Sequence, residues 1–260
     1  MRAVEAVENC LARCMTGLIT ATPTIDKRFR LIHSRTGVVN NFPLKDELLP
    51  PAVSNWNERE MAVAYIGGSS EERGIREMLR AMDLLPRSLT AHLELAGTFS
   101  TSELQAEMAA LPEWNNVRWH GVLNRQGVAA LLGRVRAGLV LFHPEENFVC
   151  SQPIKFFEYM SAGLPLIASD FPLWRSIIEG SGCGLLVNPL DPAAIAEAIE
   201  RLLTNPSLAE QMGRRGRKAV EERFNWDTEE KTLLSFYASI SSTPELQVSE
   251  APALETSRGI

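Results

Sequence analysis

Ser151-Gln152-Pro153-Ile154-Lys155-Phe156-Phe157-Glu158-Tyr159-Met160-Ser161-Ala162-Gly163-Leu164-Pro165-Leu166-Ile167-Ala168-Ser169 is the stretch on which the fold turns. Pro153 suits the first turn of a helix, where a missing N–H costs nothing. Ser151 or Gln152 then stands near the cap. Gly163 and Pro165 close the helix, and 164–168 begins an apolar strand. Just upstream, 138–142 (GLVLF) is another apolar run, followed by the loop His143-Pro144-Glu145-Glu146-Asn147. The stretch therefore reads as strand, loop, helix, strand. Further apolar runs lie at 61–66, 91–96, 117–119 and 184–187. Between them Ile75, Met78, Leu79, Met82 and Leu85 share a helical face, as do Val128, Leu131, Leu132 and Val135, and Ile195, Ile199, Leu202 and Leu203. Six strands alternating with helices predict an α/β fold, a Rossmann-like doubly wound parallel sheet, with ligands held outside the carboxyl ends of its strands.

The flanks differ. Residues 1–14 carry Val4, Val7, Leu11 and Cys14 at helical spacing; 17–23 and 37–43 read as short strands around a helix at 24–32. Residues 43–60 hold three prolines and little periodicity, and read as a linker. The expected organisation is an incomplete second domain at 1–42, the linker 43–60, the main domain 61–223, a helix at 224–240 and a disordered tail at 241–260.

With 22% charged residues, a formal net charge of -6 and a pI of about 5.4, the chain lacks the basic face that wrapping a nucleic acid needs. Arg214, Arg215, Arg217 and Lys218 read as a solvated helix face. Cys10, Cys14, Cys150 and Cys183 match no zinc spacing, and no metal is expected. No signal peptide or bilayer-spanning run is legible, so a cytoplasmic protein is expected, with peripheral contact to a membrane surface compatible.

Two segments carry candidate chemistry. Tyr65-Ile66-Gly67-Gly68-Ser69-Ser70-Glu71-Glu72-Arg73-Gly74 joins a strand to an amphipathic helix. It reads either as a phosphate cradle, with Gly67 and Gly68 admitting a ligand and Arg73 supplying charge, or as a plain tight turn. In the second segment Lys155 and Glu158 share a helix face. They are either a site pair, the lysine meeting a phosphate and the carboxylate accepting from ribose hydroxyls, or a surface ion pair. The free N–H groups near Ser151, Pro153 and Ile154 would face the crevice.

Taken in order, "YIGGSSEERGI … HGV … FHPEEN … PIKFFEYMSAGLPLIASDFP … GCGLLVNPLDPAAIAEAI" resembles the C-terminal domain of group 1 (family 4) retaining glycosyltransferases of the GT-B fold, over roughly 16–240. The resemblance implies two Rossmann-like domains across a cleft, this one holding a nucleotide-diphosphate sugar as donor substrate and the other a glycan or lipid-linked acceptor. It implies transfer of the sugar to a hydroxyl with retention, in polysaccharide or glycoconjugate assembly. Glu158 matches the family's ribose-binding Glu. Cys150 stands where the family has a second Glu near the sugar, and Gly68 where it has an Arg; Arg73 keeps the second cation of that loop and Lys155 adds another. The base is implied to lie near His120-Gly121-Val122 against backbone, with His120 itself either a contact or a structural histidine beside a turn. Arg73 and Lys155 are the expected catalytic groups, stabilising the leaving diphosphate without a cofactor or metal.

The same resemblance makes 1–42 the end of the acceptor domain and 224–240 the helix that crosses back to it. Such a segment is expected to pack poorly, to pair with a separate chain supplying the rest, or to mark a fragmentary product. A non-catalytic or partner-dependent nucleotide-sugar-binding fragment is the alternative; a sugar-nucleotide epimerase is a weaker one. A dinucleotide oxidoreductase is disfavoured, since no GxGxxG follows the first strand and no acid lies at the expected distance beyond it.

Overall fold

The computed structural model describes residues 2–50 and 55–241. Positions 51–54 of the expected linker and 242–260 of the expected disordered tail lie outside the described residues. The elements are α1 (Arg2–Cys14), β1 (Leu18–Thr20), α2 (Pro23–Arg30), β2 (Thr36–Val38), β3 (Ala62–Ile66), α3 (Ile75–Leu84), β4 (His92–Ala96), α4 (Ser102–Ala109), β5 (Val117–Trp119), α5 (Arg125–Leu132), β6 (Ala137–Val140), α6 (Glu146–Val149), α7 (Ile154–Ser161), β7 (Leu166–Ser169), α8 (Pro172–Ser181), β8 (Gly184–Val187), α9 (Pro192–Thr204), α10 (Pro206–Glu222) and α11 (Trp226–Ser241). Contacts divide the chain into a larger unit, Asn41–Thr228, and a smaller one made of residues up to Asn40 and from Glu229.

In the larger unit six parallel strands run in the order β5-β4-β3-β6-β7-β8, the doubly wound arrangement that the strand–helix alternation predicts. Helices cover both faces, so β3, β6 and β7 need no polar side: Ala62, Val63, Ala64, Ala137, Leu139, Val140, Leu166, Ile167 and Ala168 are all buried. The register Val63↔Ala137 and Ala64↔Gly138 joins the two halves of the sheet. Gly138 lets α7 come close. A Cβ there would lie 2.3 Å from the Tyr159 ring, so the strand carries no side chain where the helix packs. An aromatic cluster fixes the same helix, with Phe156 4.9 Å and Phe142 5.5 Å from Trp174, ring centre to ring centre.

The described residues of 43–60 are more closely packed than the linker reading anticipates. Leu48, Trp56 and Arg59 are buried. Arg217 of α10, read from sequence as part of a solvated face, instead bonds Asp46 at 2.8 Å and the Ser161 carbonyl at 3.0 Å. It ties this segment to the end of α7.

In the smaller unit β1 pairs with β2 in parallel, and α1, α2 and the C-terminal part of α11 complete it. Glu229 accepts from the Asn40 backbone N–H at 2.7 Å and from Asn40 Nδ2 at 3.2 Å. Among its described residues Ala12, Thr20, Asp26 and Glu229 are the buried ones, a small and mostly polar interior. Among the described residues no helix is long and apolar enough to cross a membrane.

Candidate functional site

Strand order reverses between β3 and β6, the point where doubly wound sheets hold ligands. A cavity of about 610 Å³ opens there, outside the carboxyl ends of β3, β4 and β6. Its walls come from the glycine loop after β3, from Ala96 at the end of β4 and Gly97 after it, from the loop before α5, and from the approach to α7.

The glycine loop is built for close approach. Gly67 and Gly97 have φ of 124° and 132°, where side-chain-bearing residues are strained. A Cβ on Gly97 would lie 2.1 Å from the Gly67 carbonyl oxygen. The Gly67 N–H donates to Ala96 O at 2.8 Å and the Gly97 N–H to Gly121 O at 2.7 Å. Three strand ends are thereby stitched into one rim. Arg73 follows in a short 3-10 turn, Glu71–Arg73, and reaches back so that Nη1 donates to Gly68 O at 3.1 Å.

Lys155 lies across from it on the first turn of α7 and is buried with only 7% of its surface exposed. Its ammonium sits 3.8 Å above the Tyr65 ring and 5.2 Å from that of Phe142, and Nζ has no hydrogen-bond partner among the described residues. Burial, with Arg73 acting in the same direction and Glu158 against it, pulls its pKa down to about 7. Cation–π contact offsets part of the desolvation, but a buried ammonium without an acceptor is a costly arrangement that an anion would relieve.

Glu158 is also buried, at 8% exposure. Its Oε1 accepts from Arg125 Nη1 at 2.6 Å. Arg125 opens α5, which Asn124 caps by accepting from the Gly127 N–H at 2.8 Å. Its other donors fork onto Glu47, Nε at 2.7 Å and Nη2 at 2.6 Å.

Of the residues singled out from sequence, Gly67, Gly68, Arg73, Val122, Ser151, Pro153, Ile154, Lys155 and Glu158 line this one cavity. Lys155 and Glu158 are therefore not a surface ion pair. Gly121 is absent from the lining; its carbonyl is occupied by Gly97. The His120 side chain turns to the buried Glu94, which makes it the structural histidine of the two readings. Pro153 stands one residue before α7 as its cap, with extended backbone, rather than in its first turn. Ser151 does not cap the helix, because its hydroxyl donates to Phe148 O at 2.9 Å. Among the described residues no side chain caps α7, which leaves its leading N–H groups without a side-chain acceptor. Cys150 is exposed and outside the lining, as are Glu145 and Glu146.

Sequence reasoning missed Arg125, Glu47 and Gly97. A glycine straight after the run 91–96 was a signal for the last. Nothing local distinguishes the other two. One further cluster, Glu60, His92 and Glu94, brings three potential ligand atoms within 4.8 Å of one another. Arg118 bonds Glu60 at 2.7 Å and Glu94 at 3.4 Å, so a guanidinium already supplies the positive charge.

A doubly wound α/β domain with a glycine rim, three cations and a buried carboxylate at its switch point belongs to the broad class of Rossmann-like ligand-binding domains. Within it, residues 50–219 match the model of the family Glycosyl transferases group 1, and the chain belongs to that family. It is 26% identical over 200 residues to a phosphatidyl-myo-inositol mannosyltransferase of Mycobacterium leprae, covering 74% of this chain and 50% of that protein. It is 25% identical over 237 residues to glycogen synthase of Mycobacterium tuberculosis, covering 87% and 55%. Its fold matches sucrose-phosphate synthase from Thermosynechococcus elongatus with a TM-score of 0.73 at 22% identity, over 90% of this chain and 61% of the other. HepE of Anabaena, solved in complex with UDP and glucose, matches with a TM-score of 0.73 at 15% identity over 90% and 66%. These neighbours establish the GT-B type of Rossmann-like fold. The chain spans about half the length of the curated relatives it matches.

Proposed function

We propose that this chain binds a nucleotide-diphosphate sugar in the cavity at the β3–β6 switch point and takes part in transfer of that sugar to a hydroxyl of a glycan or lipid-linked acceptor. The observation that carries the reading is the buried Lys155 ammonium, unpartnered among the described residues, in a cavity that Arg73 and the start of α7 also line. A diphosphate supplies the acceptor that Lys155 lacks. Glu158 takes the adjoining ribose, and Gly97 and Val122 border the space for the base. As the bond to the sugar breaks, negative charge grows on the leaving diphosphate. Arg73, Lys155 and the first N–H groups of α7 stabilise that charge from fixed positions, with no reorganisation at the moment of reaction.

The resemblance further supports retention of configuration and membership of family 4, with 61–223 as the donor-binding half and 1–42 plus 224–240 as part of the acceptor half. Two short strands give little acceptor surface, so the acceptor half calls for more chain than these elements, covalently attached or supplied by a partner. A second reading, donor binding without turnover, is favoured by one observation: Cys150 stands where the family has a Glu, and it is exposed outside the cavity.

Calorimetry with UDP-, GDP- and ADP-sugars tests the assignment. One of the three binds, and Glu158→Ala weakens it about tenfold or more, as expected for loss of charge-assisted hydrogen bonds. Absence of binding to all three sinks it. Release of free nucleotide diphosphate on adding acceptor separates turnover from binding alone.

A further inference from the structure

We propose that Arg125, anchored by Glu47, is a positioning residue that sets the Glu158 carboxylate for recognition of the ribose diol; this rests on reading Glu158 as the ribose ligand. The geometry is asymmetric. Arg125 spends its fork on Glu47, through Nε and Nη2 at 2.7 and 2.6 Å, and gives Glu158 a single bond from Nη1 at 2.6 Å. A planar guanidinium held by two parallel bonds cannot swing, so its remaining donor has a fixed direction. That donor takes Oε1 of Glu158. Oε2 accepts no hydrogen bond from a described residue. A carboxylate offers about four acceptor sites, so one pinned oxygen leaves the other, and a lone pair on the first, for two hydroxyls.

Electrostatics point the same way. Glu158 is buried, and a buried carboxylate without a cation is expelled or neutralised. Lys155, one turn away, makes no ion pair with it. Arg125 is the cation that does, and Arg125 lies on the cavity wall itself. Hydrogen bonds to Glu47, then burial acting in opposition, then bonds to Glu158 leave the guanidinium pKa raised above its ordinary value. The same contact draws the Glu47 carboxyl below its ordinary range. Neither partner changes charge near neutrality. Glu47 comes from the segment that reads as a linker, which gives that segment a task at the site: it holds the residue that holds the ribose ligand.

The test compares the affinity of the nucleoside diphosphate that binds best among UDP, GDP and ADP with its 2′-deoxy and 3′-deoxy forms, by calorimetry. The proteins are wild type, Arg125→Met, Arg125→Lys, Glu47→Gln and Glu158→Gln, with melting temperatures recorded for each. Wild type prefers the ribonucleotide by about tenfold over at least one deoxy form, the range expected for a charge-assisted hydrogen bond. Arg125→Met loses most of that preference by weakening the ribonucleotide while the affected deoxy form changes by about twofold or less. Glu47→Gln, an exposed change that leaves the core intact, moves in the same direction by a smaller factor, and Arg125→Lys recovers part of it. Equal weakening of ribo and deoxy forms in both Arg125→Met and Glu47→Gln, or an unchanged preference in both, overturns the proposal. If Glu158→Gln abolishes the preference while those two variants keep it, the clamp fails and the ribose reading survives. If Glu158→Gln also keeps it, or none of the three nucleotides binds, the underlying reading fails and the clamp with it.

Discussion

Two ends of one sheet treat buried cations in opposite ways. At the amino end, Arg136 precedes β6 with 8% of its surface exposed. It donates to the carbonyl oxygens of Leu203 and, through Nε at 3.2 Å and Nη2 at 3.1 Å, of Arg59. At the carboxyl end, Lys155 is as deeply buried, at 7%, and its ammonium meets aromatic faces and no acceptor. Equal burial with unequal satisfaction separates a charge already paired within the fold from the one that the proposed reading assigns to a ligand. Arg136 closes strand and helix ends that would otherwise leave carbonyls bare. Under the proposed reading, Lys155 carries a cost to stability that a bound diphosphate would offset.

The sharpest way to break that comparison is Lys155→Met, a change of similar length without the charge. Below pH about 7 the ammonium is charged in folded and unfolded chains alike, so the whole penalty of burying it is present. Between about 7 and 10.5 only the unfolded chain keeps the proton, so wild-type stability climbs with pH across that window. Lys155→Met is therefore expected to stabilise the fold by ~3–5 kcal/mol at pH 6.5 and by progressively less above pH 7. The same variant is expected to lose nucleotide-diphosphate affinity on the order of 100-fold. Urea denaturation at several pH values and calorimetry check the two halves. A destabilised variant would make Lys155 part of the scaffold.

Arg136→Met sharpens the comparison from the other side. It leaves the Leu203 and Arg59 carbonyls without a donor in a buried setting, and is expected to cost about 3 kcal/mol. Nucleotide affinity should stay within about twofold, since the side chain lies at the far end of the strands. Urea midpoints measure the first and calorimetry the second. A variant that folds normally but binds poorly would contradict the division between the two ends.

The same contrast explains what was legible before the structure. The parallel, doubly wound sheet and a crevice at its carboxyl ends followed from apolar runs and helical faces, through local periodicity and the rule that parallel sheets are covered on both sides, while the order of the strands did not. Gly67, Arg73, Lys155 and Glu158 were visible because each stands within a few residues of a strand end or helix start. Whether Lys155 and Glu158 paired with each other was not, since that depends on what approaches from elsewhere in the chain. Arg125 comes from thirty-odd residues upstream and Glu47 from further still. Their contacts are set by tertiary packing and leave no periodic trace. The same holds for Gly121, whose carbonyl is claimed by a neighbouring strand end, and for Leu48 and Trp56, buried within a stretch whose prolines read as a linker. Prolines stop helices and ladder bonds; they do not prevent apolar neighbours from packing.

The smallest expected effect concerns protons. Lys155 has a pKa of about 7, and a bound diphosphate favours its charged form. Binding must then take up a proton wherever the free side chain is neutral, so affinity falls as pH rises past 7. With that pKa the charged fraction drops about fivefold between pH 7 and pH 8, and affinity for UDP or its better-binding counterpart should drop by a similar factor. Arg at this position stays charged throughout. Lys155→Arg should therefore bind with a flat profile over the same interval, whatever its absolute affinity. Titrating both proteins in buffers of different ionisation enthalpy reads the proton directly: uptake of up to one proton by wild type near pH 8 and none by the variant. Parallel profiles for the two proteins would assign the pH dependence to the nucleotide or to another group, and the carboxyl end of the sheet would lose its claim to an ammonium held in reserve.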